Sequence, residues 1–148
     1  VRYGFGLPPF EEIRRKRARP SEILENPQTI GEHLKRERQL RKMFQRDVAK
    51  ELGINQWTLI GWEKGTKHIS QPSLFPRVIA WLGYAPFPKP ETEGEELRQA
   101  RLRRGLTARE AAKEANVDQG TWIRFENDGD VSAHMRNYLL GTMTAIES

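Results

Sequence analysis

Apolar residues in this chain recur three and four positions apart in short runs, and nowhere alternate with polar residues as a half-buried strand would require. Thr29 followed by Glu32 has the form of a capping box and opens a first helix in which Ile30, Leu34 and Arg38 share one face. The run from Gln45 to Leu52 turns Val48, Ala49 and Leu52 to one side. After Gly53 and Ile54, Asn55 is a good N-cap for a third helix, with Leu59 and Trp62 inward and Gln56, Trp57, Ile60 and Gly61 outward. A polar loop then leads to a fourth helix carrying Leu74, Phe75, Val78, Ile79 and Leu82; Pro76 is tolerable only in its first turn, and Gly83 supplies the stop. Two short helices joined through Gly53-Ile54-Asn55 predict a helix-turn-helix, whose second helix can enter a major groove.

The pattern occurs twice. Displaced by 63 residues, Gly31–Glu63 lies over Gly94–Glu126 without a gap, and 13 of the 33 positions are identical. Unrelated segments would share roughly two. The identities include Gly31/Gly94, Leu34/Leu97, Arg38/Arg101, Ala49/Ala112, Gln56/Gln119 and Glu63/Glu126. A capping box from Thr107 to Glu110 and a cap at Asp118 open the second and third helices of the second copy. A last helix places Met135, Leu139, Met143 and Ile146 at helical spacing. The expected division is therefore an N-terminal arm at 1–28, a first module at 29–85, a Pro-rich linker at 86–92 and a divergent second module at 93–148. The expected fold class is all-α, with two modules of four to five short helices each.

Composition narrows the function. Cys is absent, which excludes a disulfide framework or thiolate metal site, and His33, His68 and His134 fit no metal spacing. No phosphate-binding loop or nucleophile elbow is present, so neither an enzyme nor a cofactor is expected. No apolar run approaches the ~20 residues of a membrane span, and no signal-peptide core follows the N-terminus, so the expectation is a cytoplasmic protein. The formal net charge of +5 is uneven. Residues 29–85 carry ten cations against five anions, whereas residues 86–148 carry nine against eleven. The first module thus has the footprint of a phosphate-binding surface. Five positive charges from Arg14 to Arg19 read either as an arm lying along phosphates or as a solvated tail.

Three motifs carry a resemblance. Gln45-Arg46-Asp47-Val48-Ala49, the turn Gly53-Ile54-Asn55 and the ending Thr58-Leu59, Glu63 and Gly65 resemble the phage-repressor type of helix-turn-helix, the XRE or Cro/cI family. The match covers 29–83 well and 93–148 less well. The resemblance implies two tandem lambda-repressor-like domains and double-stranded DNA as partner. It also implies that a first-helix Arg pairs with the Glu ending the third helix, giving Arg38–Glu63 and Arg101–Glu126 as structural clamps.

The family's DNA-contacting positions fall on Gln45, Gln56, Trp57, Thr58 and Gly61, with Asn55 at the head of the same helix. Gln56 can pair with adenine N6 and N7. Trp57 either presses on thymine methyls or packs against a partner, and Gly61 permits close backbone approach. Lys35, Arg41, Lys42, Arg46, Lys64 and Lys67 are candidate phosphate contacts. In the second copy Ala108 replaces the Gln, Asn116 replaces the turn Gly, and Gly120 occupies a reading position. Either this copy reads another half-site through Arg109, Gln119, Thr121 and Arg124, or it has become a packing and dimerisation module. The expected function is a sequence-specific transcriptional regulator, a repressor of bacterial or phage type. The alternative is an antitoxin or adaptor whose main role is to hold a protein partner.

Overall fold

The computed structural model describes residues 22–147, and among them there are eight α-helices and no strand. The first module contains α1 (Ile30–Leu40), α2 (Gln45–Leu52), α3 (Gln56–Lys64), a 3-10 turn (Pro72–Leu74) and α4 (Phe75–Leu82). The second contains α5 (Glu93–Arg103), α6 (Ala108–Glu114), α7 (Gln119–Glu126) and α8 (Ala133–Glu147). The basic cluster from Arg14 to Arg19 lies outside the described residues, as do the side chains of Met143 and Ile146.

The helix starts are built as their sequences require. Thr29 and Glu32 form a reciprocal capping box, as do Thr107 and Glu110. The Asn55 side chain accepts from the Trp57 N–H, and that of Asp118 from the Thr121 N–H. Thr92, which the periodicity did not single out, caps α5 by accepting from Glu95. Pro76 sits in the first turn of α4, where its missing N–H costs nothing.

Two separate apolar clusters result. Leu34, Val48, Leu52, Leu59, Trp62, Val78 and Leu82 form the first, and Leu97, Ala111, Ala112, Trp122, Phe125 and Leu139 the second. The 63-residue offset persists in the backbone even where the residues differ. Lys42 and Gly105, Gly53 and Asn116, and Gly65 and Asp128 are all left-handed, with φ of 54° and 72°, 71° and 56°, and 78° and 59°. Asn and Asp are the residues that enter this region most readily after Gly, so the turn survives the exchange.

The shared glycine at the head of the first helix has a steric cause. A Cβ on Gly31 would lie 1.8 Å from the Trp62 carbonyl oxygen, and one on Gly94 would lie 2.4 Å from that of Phe125. Helix one and helix three therefore touch backbone to backbone in both copies. This closeness brings each first-helix Arg within reach of the carboxylate that ends the third helix.

The modules also pack on each other. The Phe75 and Phe87 rings are 5.7 Å apart, the Gln99 amide donates to the Pro88 carbonyl at 2.9 Å, and the Arg103 guanidinium lies 6.0 Å from the Phe87 ring centre. Gly105 faces Pro76, where a Cβ would come within 2.9 Å of the ring. Elsewhere, His33 on α1 pairs with the Tyr84 hydroxyl at 2.8 Å, the two rings meeting edge to face. Desolvation, followed by the nearby Arg36 charge, holds the His33 pKa below 6.5.

Gly31→Ala is expected to destabilise the chain by about 3 kcal/mol or more, although alanine favours an ordinary helix interior. Urea unfolding followed by circular dichroism measures it, and a neutral result would rule out the backbone contact. The His33 contribution has a definite sign. It is intact above the ordinary histidine value of 6.5 and is lost as pH falls from there through the lower folded value. The drop in urea midpoint between about pH 7.5 and about pH 5.5 should therefore be smaller in His33→Gln than in the parent chain.

Candidate nucleic-acid interface

The geometry of α3 is set from its C-terminal end. Glu63 is only 8% exposed, and its carboxylate accepts from Arg38 Nε at 2.8 Å and Nη2 at 2.9 Å. Arg38 Nη1 reaches the Met43 carbonyl at 3.2 Å, so one guanidinium fastens α3 and the α1–α2 connection together. Gln45, the first residue of α2, adds a third donor to Glu63 at 2.9 Å. Through this bond the head of α2 braces the end of α3.

The second copy reaches the same satisfaction by a different route. Arg101 binds Glu126 through Nε at 2.6 Å and Nη2 at 3.0 Å, and the Leu106 carbonyl through Nη1 at 2.8 Å. Ala108 cannot replace Gln45, and the missing donor comes from the Trp122 indole N–H, 2.7 Å from Glu126. Trp122 stands at the position of Leu59, and Phe125 at that of Trp62. The larger ring has thus moved one helical turn back, carrying a hydrogen bond with it.

At the other end, α3 presents its head to solvent. Gln56 is exposed, Trp57 is 72% exposed and Thr58 is half-buried. On one flank Phe44, Gln45, Arg46 and Gln56 line a shallow recess of about 290 Å³. Phe44 is 69% exposed, with the Arg46 guanidinium 5.4 Å from its ring centre. On the other flank a polar groove of about 680 Å³ includes Asn55, Thr58, Lys67, Ser70, Ser73 and Arg77. Arg77 donates to the Leu52 carbonyl at 3.4 Å and so sits against the turn itself. Lys42 and Lys64 are exposed, at the left-handed turn after α1 and the last turn of α3.

One expected contact is corrected. Gly61 is buried rather than outward, because the Lys67 stem crosses it: a Cβ there would lie 2.7 Å from Lys67 Cδ. Its carbonyl accepts from Thr66 and Lys67, so Gly61 seats the following loop instead of approaching a ligand. Arg41 is held against α4, with its guanidinium 4.2 Å from the Trp81 ring centre and a bond to the Leu82 carbonyl at 3.3 Å. Its side chain remains 38% exposed, with Nε 3.7 Å from the Glu37 carboxylate. Phe44, Ser70, Ser73 and Arg77 escaped the sequence reading. Only the positive charge of Arg77 in the first turn of the fourth helix could have suggested one of them.

In the second copy Arg109, Gln119 and Arg124 are exposed and Thr121 is half-buried. The cationic cluster beside them is largely spent internally: Arg101 is in the clamp, Arg104 pairs with Glu114 at 2.7 Å, and Arg103 lies over Phe87. Exposed Asp118, Asp128 and Asp130 add negative charge around α7.

Comparison with known proteins agrees with this geometry. A family model described as helix-turn-helix matches residues 34–75, and one described as helix-turn-helix domain matches residues 94–136. The chain is a tandem helix-turn-helix protein. The arrangement is consistent with the XRE-like helix-turn-helix family. No curated protein and no solved structure matches it significantly. Among the described residues of this tandem protein, no helix is long and apolar enough to cross a membrane.

The exchange of donors at Glu126 can be tested within the tandem protein. Trp122→Phe is expected to cost about 1–3 kcal/mol, because a buried carboxylate oxygen loses a donor. Adding Ala108→Gln should recover part of that loss, as Gln45 does in the first copy. Chemical denaturation of the single and double variants measures both, and absence of any recovery would show that the two donors are not equivalent.

Proposed function

We propose that this tandem helix-turn-helix protein is a sequence-specific regulator that reads the major groove of double-stranded DNA with the head of α3. The observation that carries the reading is the exposed pair Gln56 and Trp57, held at a capped helix N-terminus between a shallow recess and a polar groove. Gln56 is free to bond an adenine edge, and the Trp57 ring to press on thymine methyls. Asn55 fixes the angle at which the two leave the backbone. Arg46 and Lys42 on one side, and Lys67, Ser70, Ser73 and Arg77 on the other, supply groups for phosphates of the two strands. Such contacts position the helix without specifying sequence. Repression is the simplest output of such a module, because bound protein occludes whatever else uses the site.

The second module enters this reading as a support rather than a second reader. Arg101, Arg103 and Arg104 of its cationic cluster are committed within the fold, and three exposed aspartates flank its third helix. An adaptor role, in which the Trp57 surface holds a protein, is favoured by the same 72% exposure and is separated from the first reading by experiment.

Selection of bound duplexes from a random library should yield a defined site, with affinity falling steeply as salt rises. Gln56→Ala is expected to cost about 1–3 kcal/mol of discrimination at one base pair, measured by fluorescence anisotropy on matched and mismatched duplexes. Arg124→Ala should leave the site unchanged. Recovery of no preferred sequence would overturn the proposal.

A further inference from the structure

Between the two modules lies a recess of about 520 Å³, within the range of sites that take small organic molecules. Its walls are apolar and come from both halves: Ile30, Ile69 and Phe75 on one side, Leu102 on the other, and Phe87 from the connecting segment. One face of α5 closes it, since Glu95, Arg98, Gln99 and Leu102 follow at helical spacing.

The polar groups around this apolar space are mostly donors. Lys67, His68 and Arg98 are exposed at its edge, and none is paired with a carboxylate among the described residues. The acidic side chain present, Glu95, is engaged by the Glu91 N–H at 2.8 Å. Gln99 is tied to the Pro88 carbonyl. The Trp62 side chain, only 3% exposed and part of the first core cluster, also lines the recess. Two exposed cations, an imidazole and an apolar chamber together define one ligand chemistry.

We infer that this recess binds an amphipathic organic acid, with the apolar body between Phe75, Phe87 and Leu102 and the carboxylate turned toward Arg98, Lys67 and His68. A molecule seated there touches both modules and so fixes how they sit on each other. Because Lys67 also borders the groove beside α3, a bound carboxylate competes with a DNA phosphate for the same ammonium. That consequence rests on the DNA-binding reading; the binding site itself does not.

The test is calorimetric titration of the full chain, without DNA, using 2-naphthoate and its uncharged analogue 2-naphthalenemethanol. The acid should bind one per chain and at least about tenfold more tightly than the alcohol, as expected when charge complementarity sets specificity. Arg98→Glu, at an exposed position, should weaken the acid by at least about tenfold and leave the alcohol unchanged. Leu102→Trp should abolish both by filling the chamber, and the thermal melt of each variant verifies its fold. Equal affinity for acid and alcohol, an unaltered titration in Arg98→Glu, or no saturable heat with either probe would each overturn the inference. Failure of the DNA proposal would leave these outcomes untouched.

Discussion

A carboxylate that ends one helix and cannot reach water sets the terms for everything around it. Buried without partners, the Glu63 charge would oppose folding; with a bidentate guanidinium and an amide it becomes the point where three helices are pinned. The pinning succeeds only because α1 and α3 approach without an intervening side chain, which Gly31 alone makes feasible. From this one contact follows the direction of α3, and hence which of its residues look outward.

The two copies show what such a constraint permits. The guanidinium–carboxylate pair and the glycine crossing are common to both, while the third donor has passed from an amide on α2 to an indole on α7. The exchange changes the core, since Trp122 now fills the space that Leu59 takes in the first copy. The outer surface has changed more freely, from a largely basic one in the first module to one with several aspartates in the second. A buried ion must be satisfied wherever it occurs, whereas an exposed charge can change sign at little cost to stability.

How far this was legible in the residues depends on distance along the chain. Caps at Thr29, Asn55, Thr107 and Asp118 involve groups two or three residues apart, and local chemistry announces them. The core positions followed from helical spacing and the clamps from the family resemblance. By contrast, nothing near Gly61 in sequence reveals that Lys67 will lie across it, and nothing near Arg41 reveals Trp81. A side chain's long-range partner is chosen by the packed fold, so an exposed-looking cation can be consumed far from where it begins. The contact of the modules was equally hidden, because it occurs once and has no counterpart in the repeat to expose it.

Gly105 shows a separability of another kind. It occupies the left-handed turn that Lys42 occupies in the first copy, yet here the turn abuts Pro76 and a methyl group would collide with the ring. Neither apolar cluster includes that position. The close approach of the halves at this point thus depends on a turn outside both cores, alongside the Phe75–Phe87 and Gln99–Pro88 contacts. Sequence drift at this turn would shift the two halves against each other long before it unravelled either one.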